Sequence, residues 1–88
     1  MLNGKGFEIL IASPPNYDNL VAEIYFDGLF FALISQEKGP GVFEFETAGP
    51  DVIEQQVCRK VTLDELQEAI ETAQKQLSNE RLLNPNNE

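Results

Sequence analysis

Hydrophobic and polar positions along the chain fall into blocks of two periods. Phe7-Glu8-Ile9-Leu10-Ile11-Ala12 is short, apolar and rich in β-formers, and it predicts a first strand. Pro14-Pro15-Asn16 ends it, because proline has no N–H to give to a ladder. Leu20 to Phe26 predicts a second strand and Leu29 to Gln36 a third. Asp27-Gly28 between them suits a type I′ turn, in which both central residues take positive φ. Lys38-Gly39-Pro40-Gly41 predicts a loop. Val42-Phe43-Glu44-Phe45-Glu46-Thr47 then alternates strictly, with Phe43 and Phe45 on a buried face and Val42, Glu44 and Glu46 on the other. Ala48-Gly49-Pro50-Asp51 turns the chain. Ile53 to Val61 predicts a further strand, with Val57 and Val61 on one face and Cys58 and Lys60 on the other, although Glu54-Gln55-Gln56 interrupts it with polar residues.

At Thr62 the period changes to that of a helix. Thr62 is an N-cap residue, Glu65 stands three positions on, and Val61 and Leu66 flank the cap as a hydrophobic staple. Asp64 and Glu65 suit the positive end of the helix dipole. Leu63, Leu66, Ile70, Ala73 and Leu77, widened by Ala69, form one apolar stripe, and the helix is expected to fray near Ser78-Asn79. The pattern predicts an α+β fold: an antiparallel sheet of four to five strands, a meander with a central Asp-Gly hairpin, and one C-terminal amphipathic helix packed on one face. Residues 1–80 form a single domain in this reading, and residues 81–88, ending Asn84-Pro85-Asn86-Asn87-Glu88, form a disordered tail.

A two-residue turn fixes the register of a hairpin. Regular pairing would put Leu20, Ala22, Ile24, Phe26, Leu29, Phe31 and Leu33 on one face, as the bed for the helix. Val21, Glu23, Tyr25, Phe30, Ala32 and Ile34 would then share the opposite face, which is apolar apart from one carboxylate. One helix covers only one face. Val21, Tyr25, Phe30 and Ile34 are therefore expected either to be covered by the chain's own loops and termini or to form a patch for a partner or a second copy.

The chain has 88 residues and 42% hydrophobic positions, enough for one small core. No run approaches the ~20 apolar residues of a membrane span, and the N-terminus lacks the long apolar region of a signal peptide. Its one cysteine, Cys58, makes no internal disulfide, which points to a cytoplasmic setting. No histidine is present, so Ser-His-Asp and Cys-His catalysis and Cys/His zinc sites are excluded. No phosphate-binding glycine loop or EF-hand loop occurs, and the reading is of a non-enzymatic protein with no cofactor and no metal. The net charge of −9 argues against nucleic acid and anionic membrane as partners and favours a basic one.

Of the 15 acidic residues, eight lie between Glu44 and Glu71. They are Glu44, Glu46, Asp51, Glu54, Asp64, Glu65, Glu68 and Glu71, offset there by Arg59 and Lys60. Such a cluster is either a solvated face or a footprint for a basic surface. The candidate partner-binding residues are Tyr25, Phe30 and Ile34, as desolvated anchors, with Glu44, Glu46, Asp51, Glu54, Asp64, Glu68 and Glu71 around them. Cys58 reads as a small half-buried hydrophobe, and Tyr17 and Asp18 as loop residues.

The segments "LVAEIYFDGLFFALISQEKGPG" and "VTLDELQEAIETA" resemble the small bacterial immunity proteins of contact-dependent growth inhibition and related polymorphic toxin systems. The similarity covers roughly Leu20 to Leu77, and Ser35-Gln36-Glu37 is its most distinctive part. It implies a bacterial, cytoplasmic antitoxin that neutralises a cognate toxin domain, often a nuclease, by stoichiometric binding. It carries no catalytic residues to this chain. The alternative is a structural or adaptor module that homodimerises through the outer hairpin face.

Overall fold

A computed structural model describes residues 6–39 and 41–83, with side chains to residue 79. Four strands, β1 (Phe7–Ala12), β2 (Val21–Phe26), β3 (Leu29–Ser35) and β4 (Glu44–Thr47), are followed by a 3₁₀ turn at Glu54–Gln56 and one helix, α1 (Leu63–Leu83). The strands lie in chain order, β1-β2-β3-β4, and every neighbour pair is antiparallel. The architecture is thus an α+β meander with a C-terminal helix, as the hydrophobic pattern predicts.

The Asp27-Gly28 turn is formed as expected, with φ of 52° at Asp27 and 80° at Gly28. A methyl group on Gly28 would meet no atom within 4 Å, so the demand is conformational rather than steric. Gly28→Ala should therefore lower stability by about 1 kcal/mol without altering the register, as urea denaturation would read.

Pairing beyond the turn departs from the regular register. Phe26 faces Leu29 and Tyr25 faces Phe30, but Ile24 then faces Ala32, Glu23 faces Leu33 and Ala22 faces Ile34. Phe31 is one extra residue on β3, a β-bulge. It exchanges the faces of everything after it: Ala32 and Ile34 turn toward the helix, and Leu33 turns away. Ile34 is therefore a core residue, 2% exposed, and not part of the outer face where regular alternation puts it. The bulge leaves Phe31 on the helix side, where its ring contacts Phe26 (5.2 Å between centroids) and Phe45 (6.1 Å). With the Phe7–Phe26 contact at 6.2 Å, a row of phenylalanines crosses all four strands on that side.

Ala69, Ala73 and Leu77 of α1 are fully buried against Phe7, Ala22, Ile24, Phe26 and Ile34. Their spacing of four, with small residues at two positions, lets the helix backbone lie close to β1 and β2, the strands it mainly contacts. Leu63 was expected in this stripe but is 67% exposed, because it precedes the turn of helix that meets the sheet. The helix also continues past Ser78-Asn79 to Leu83, since neither residue forbids helical backbone. The expected tail thus begins inside α1, and residues 84–88 lie outside the described residues, as does Pro40 of the loop before β4.

Two further expectations change. No fifth strand forms over Ile53 to Val61. The polar Glu54-Gln55-Gln56 coils into the 3₁₀ turn, and only Val57 makes a β-bridge, parallel to Phe30. The Phe43 and Phe45 face is buried only in part: Phe43, just before β4, is half-buried and packs against the core, whereas all four residues of β4 are exposed, Phe45 at 47%, because α1 packs mainly on β1 and β2.

The start of α1 is capped as the sequence predicts. The Glu65 N–H donates to Thr62 Oγ1 at 3.2 Å, and the Thr62 hydroxyl lies 3.2 Å from Glu65 Oε1 as donor. Thr62→Ala should lower stability by about 1 kcal/mol, measurable by thermal melting.

Candidate functional site

The helix leaves one face of the sheet bare. Cross-strand pairing assembles that outer face in rows: Leu10, Glu23, Leu33 and Glu46 across β1 to β4, and Glu8, Tyr25 and Phe30 in the next. Val57 lies beside Phe30, occupying the edge of β3 that β4 leaves free, and the Cys58 N–H donates to the Phe30 carbonyl at 2.8 Å. The Tyr25 and Phe30 rings meet edge to face, 5.7 Å apart at 77°.

The chain covers part of this face itself. Val21, also on the outer side, is completely buried. The β1–β2 loop crosses above it, and the Tyr17 hydroxyl donates to Glu46 Oε1 on β4 at 2.6 Å. Glu37 ties the same loop down by accepting the Asp18 and Asn19 N–H groups at 2.8 and 2.9 Å. Those bonds favour the ionised carboxylate and hold the Glu37 pKa below its ordinary value. A depressed folded-state pKa stabilises the fold above the unfolded-state value, near pH 4.5, and that stabilisation disappears as pH falls through the folded pKa. Acid titrations of wild type and Glu37→Gln should therefore separate above pH 4.5 and converge at lower pH.

The other end of the face is more open to solvent. Leu10 is 49% exposed, and Leu33, Tyr25 and Phe30 are half-buried. The Tyr25 hydroxyl donates to Glu23 Oε1 at 2.8 Å. Partial burial, that hydrogen bond and the negative charges of Glu23 and Glu8 together push the Tyr25 pKa above 10. Folding thus opposes ionisation of this phenol, and its contribution to stability is present below pH 10 and lost as pH rises through the folded value. Glu23→Gln should bring the Tyr25 transition to lower pH in an absorbance titration near 295 nm.

Two ion pairs hold carboxylates near this apolar centre. Lys38 pairs with Glu44 at 3.7 Å and Arg59 with Glu54 at 2.7 Å. Among the described residues no basic side chain pairs with Glu8, Glu23 or Glu46.

No family model, curated protein or solved structure matches the chain.

The predicted site residues divide. Tyr25, Phe30, Glu44 and Glu46 stand on the outer face. Ile34 lies in the core on the opposite side. Asp51 is exposed in the turn after β4, Glu54 is engaged by Arg59, and Asp64, Glu68 and Glu71 belong to α1, in the layer across the sheet. The acids between Glu44 and Glu71 therefore do not make one footprint. Sequence reasoning missed Leu10, Glu8 and Leu33. The first two follow from the β1–β2 register. Leu33 reaches the outer face only through the bulge, which two adjacent phenylalanines do not announce.

A concavity of about 530 Å³ opens at the start of α1, between Phe26, Asp27, Cys58, Lys60 and Glu65. Its thiol, half-buried, donates to the Lys60 carbonyl at 3.4 Å, a backbone-fixing role. Among the described residues no group of three or more His, Cys, Asp or Glu is placed to hold a metal ion. No helix among them is long and apolar enough to cross a membrane.

Proposed function

We propose that this chain is a stoichiometric protein inhibitor, an immunity protein that neutralises a basic toxin domain of a contact-dependent growth inhibition system, and that it binds through the outer face of its sheet. The observation that carries the proposal is the more open end of that face: Leu10, Leu33, Tyr25 and Phe30 at its centre, with Glu8 and Glu23 beside them, Glu46 at the border with the covering loop, and no cation paired with these three among the described residues. Apolar and aromatic anchors within a charged rim are what a tight interface uses. The surplus of carboxylates suits a partner that must itself hold phosphates, because such a partner is basic around its cleft. It also speeds association.

Self-association through this face is the competing use. It would bring the unpaired carboxylates of two copies together, in a chain whose net charge is −9, and like charges oppose that. The proposal requires a basic toxin domain encoded beside this chain's gene, and a neighbouring gene without one counts against it; the test uses the product of that gene. Mixed in equal amounts and analysed by size exclusion with light scattering, the two should give a one-to-one complex in which toxin activity is lost. Absence of a complex, or a homodimer that Phe30→Asp breaks, overturns it.

A further inference from the structure

The outer face also indicates what its partner presents. The Tyr25 and Phe30 rings stand edge to face, so at least one ring face is not used in their mutual contact. Two carboxylates stand beside Tyr25, on the sides away from Phe30. Glu23 is tied to the Tyr25 hydroxyl at 2.8 Å, and Glu8 pairs with Tyr25 across the strands, where its charge acts on the same hydroxyl. Among the described residues neither carboxylate has a cationic partner, and the charged side chains Lys38 and Arg59 are engaged elsewhere. Aromatic faces and unpaired carboxylates attract the same kind of group. A flat cation satisfies both at once, by stacking on a ring while its N–H fork reaches an oxygen at the rim. An ammonium is a strongly hydrated point charge and makes these contacts less well.

We infer that the Tyr25–Phe30 pair, with Glu8 and Glu23 beside Tyr25, seats an arginine side chain of the partner protein. This rests on the outer face being the binding surface, and it assigns that surface its anchor. It goes beyond net acidity in one respect: the exposed helix acids Asp64 and Glu71 belong to an element with no aromatic residue and take no part.

The test uses the full chain and a blocked pentapeptide, acetyl-AARAA-amide, followed by NMR at 0.15 M salt. Shifts should concentrate on the Tyr25 and Phe30 rings and on the Glu8 and Glu23 carboxyl carbons. Phe30→Leu, which keeps an apolar side chain beside Val57, should weaken binding about threefold. Glu8→Gln, at an exposed position, should weaken it similarly and provides the reading if the first variant fails to fold. Glu71→Gln should leave it unchanged. Citrulline in place of arginine should abolish the shifts, and lysine should reduce them. Equal shifts with lysine or citrulline, shifts spread over Asp64 and Glu71, or indifference to both Phe30→Leu and Glu8→Gln would overturn the inference. If the peptide fails while the neighbouring gene's toxin domain still forms a one-to-one complex, the inhibitor function stands and only the arginine seat is lost.

Discussion

Ile24→Ala is expected to lower the unfolding free energy by about 3 kcal/mol, the middle of the range for truncating a buried isoleucine. Ile24 is fully buried, faces Ile9 on one side and Ala32 on the other, and lies beneath the helix residues Ala69 and Ala73. Because Ala69, Ala73, Ala22 and Ala32 are already small, no large side chain at these positions is available to fill the void. In a chain of 88 residues the loss should depress the melting temperature by roughly 12 to 24 °C. The urea midpoint should fall with its slope unchanged. Leu63→Ala, at a position 67% exposed, should change stability by less than about 0.5 kcal/mol. A loss below about 1 kcal/mol at Ile24 would mean that α1 does not pack where the structure has it.

On the proposed function, Phe30→Ala is expected to weaken a complex with a toxin domain by at least about 30-fold, or about 2 kcal/mol, as for a central aromatic anchor. Phe30 stands at the meeting point of three elements: paired with Tyr25 on β2, bridged to Val57, and accepting a hydrogen bond from the Cys58 N–H. Its backbone contacts survive truncation, so the fold should be retained and the loss should fall on binding. Most of it should be in the dissociation rate, which calorimetry and surface-binding kinetics would separate. Glu8→Gln, in contrast, should slow association and flatten its salt dependence, because rim charges act mainly on encounter. Neutralising Asp64 or Glu71 should leave affinity within about threefold, a difference worth less than 1 kcal/mol.

Much of the fold was legible because local chemistry and global arrangement agree. Asp27-Gly28 has one favourable use between two β-rich runs, and Thr62 with Glu65 marks a helix start that tertiary packing then keeps. The departures share a cause: they depend on contacts that periodicity does not contain. Regular alternation puts Ile34 outside, yet one extra residue at Phe31 moves it into the core and sends Leu33 out. At that bulge Phe31 joins the Phe7, Phe26 and Phe45 rings in a row across four strands, a contact that periodicity does not encode. Phe45 alternates like a buried residue but lies on an edge strand beyond the helix. The candidate site was legible to the same degree. Tyr25 and Phe30 follow from the turn alone. Grouping them with Glu8 and Leu10 instead of the helix acids requires the neighbour of β2, which is β1.

Carboxyl footprinting of the free chain and of the proposed complex with a toxin domain tests the outer face most directly. Carbodiimide labelling read by mass spectrometry should fall on complex formation at Glu8, Glu23 and Glu46, with Asp64 and Glu71 labelled as in the free chain. Protection of Asp64 and Glu71 with Glu8 and Glu23 still reactive would contradict the account and place the partner on the helix.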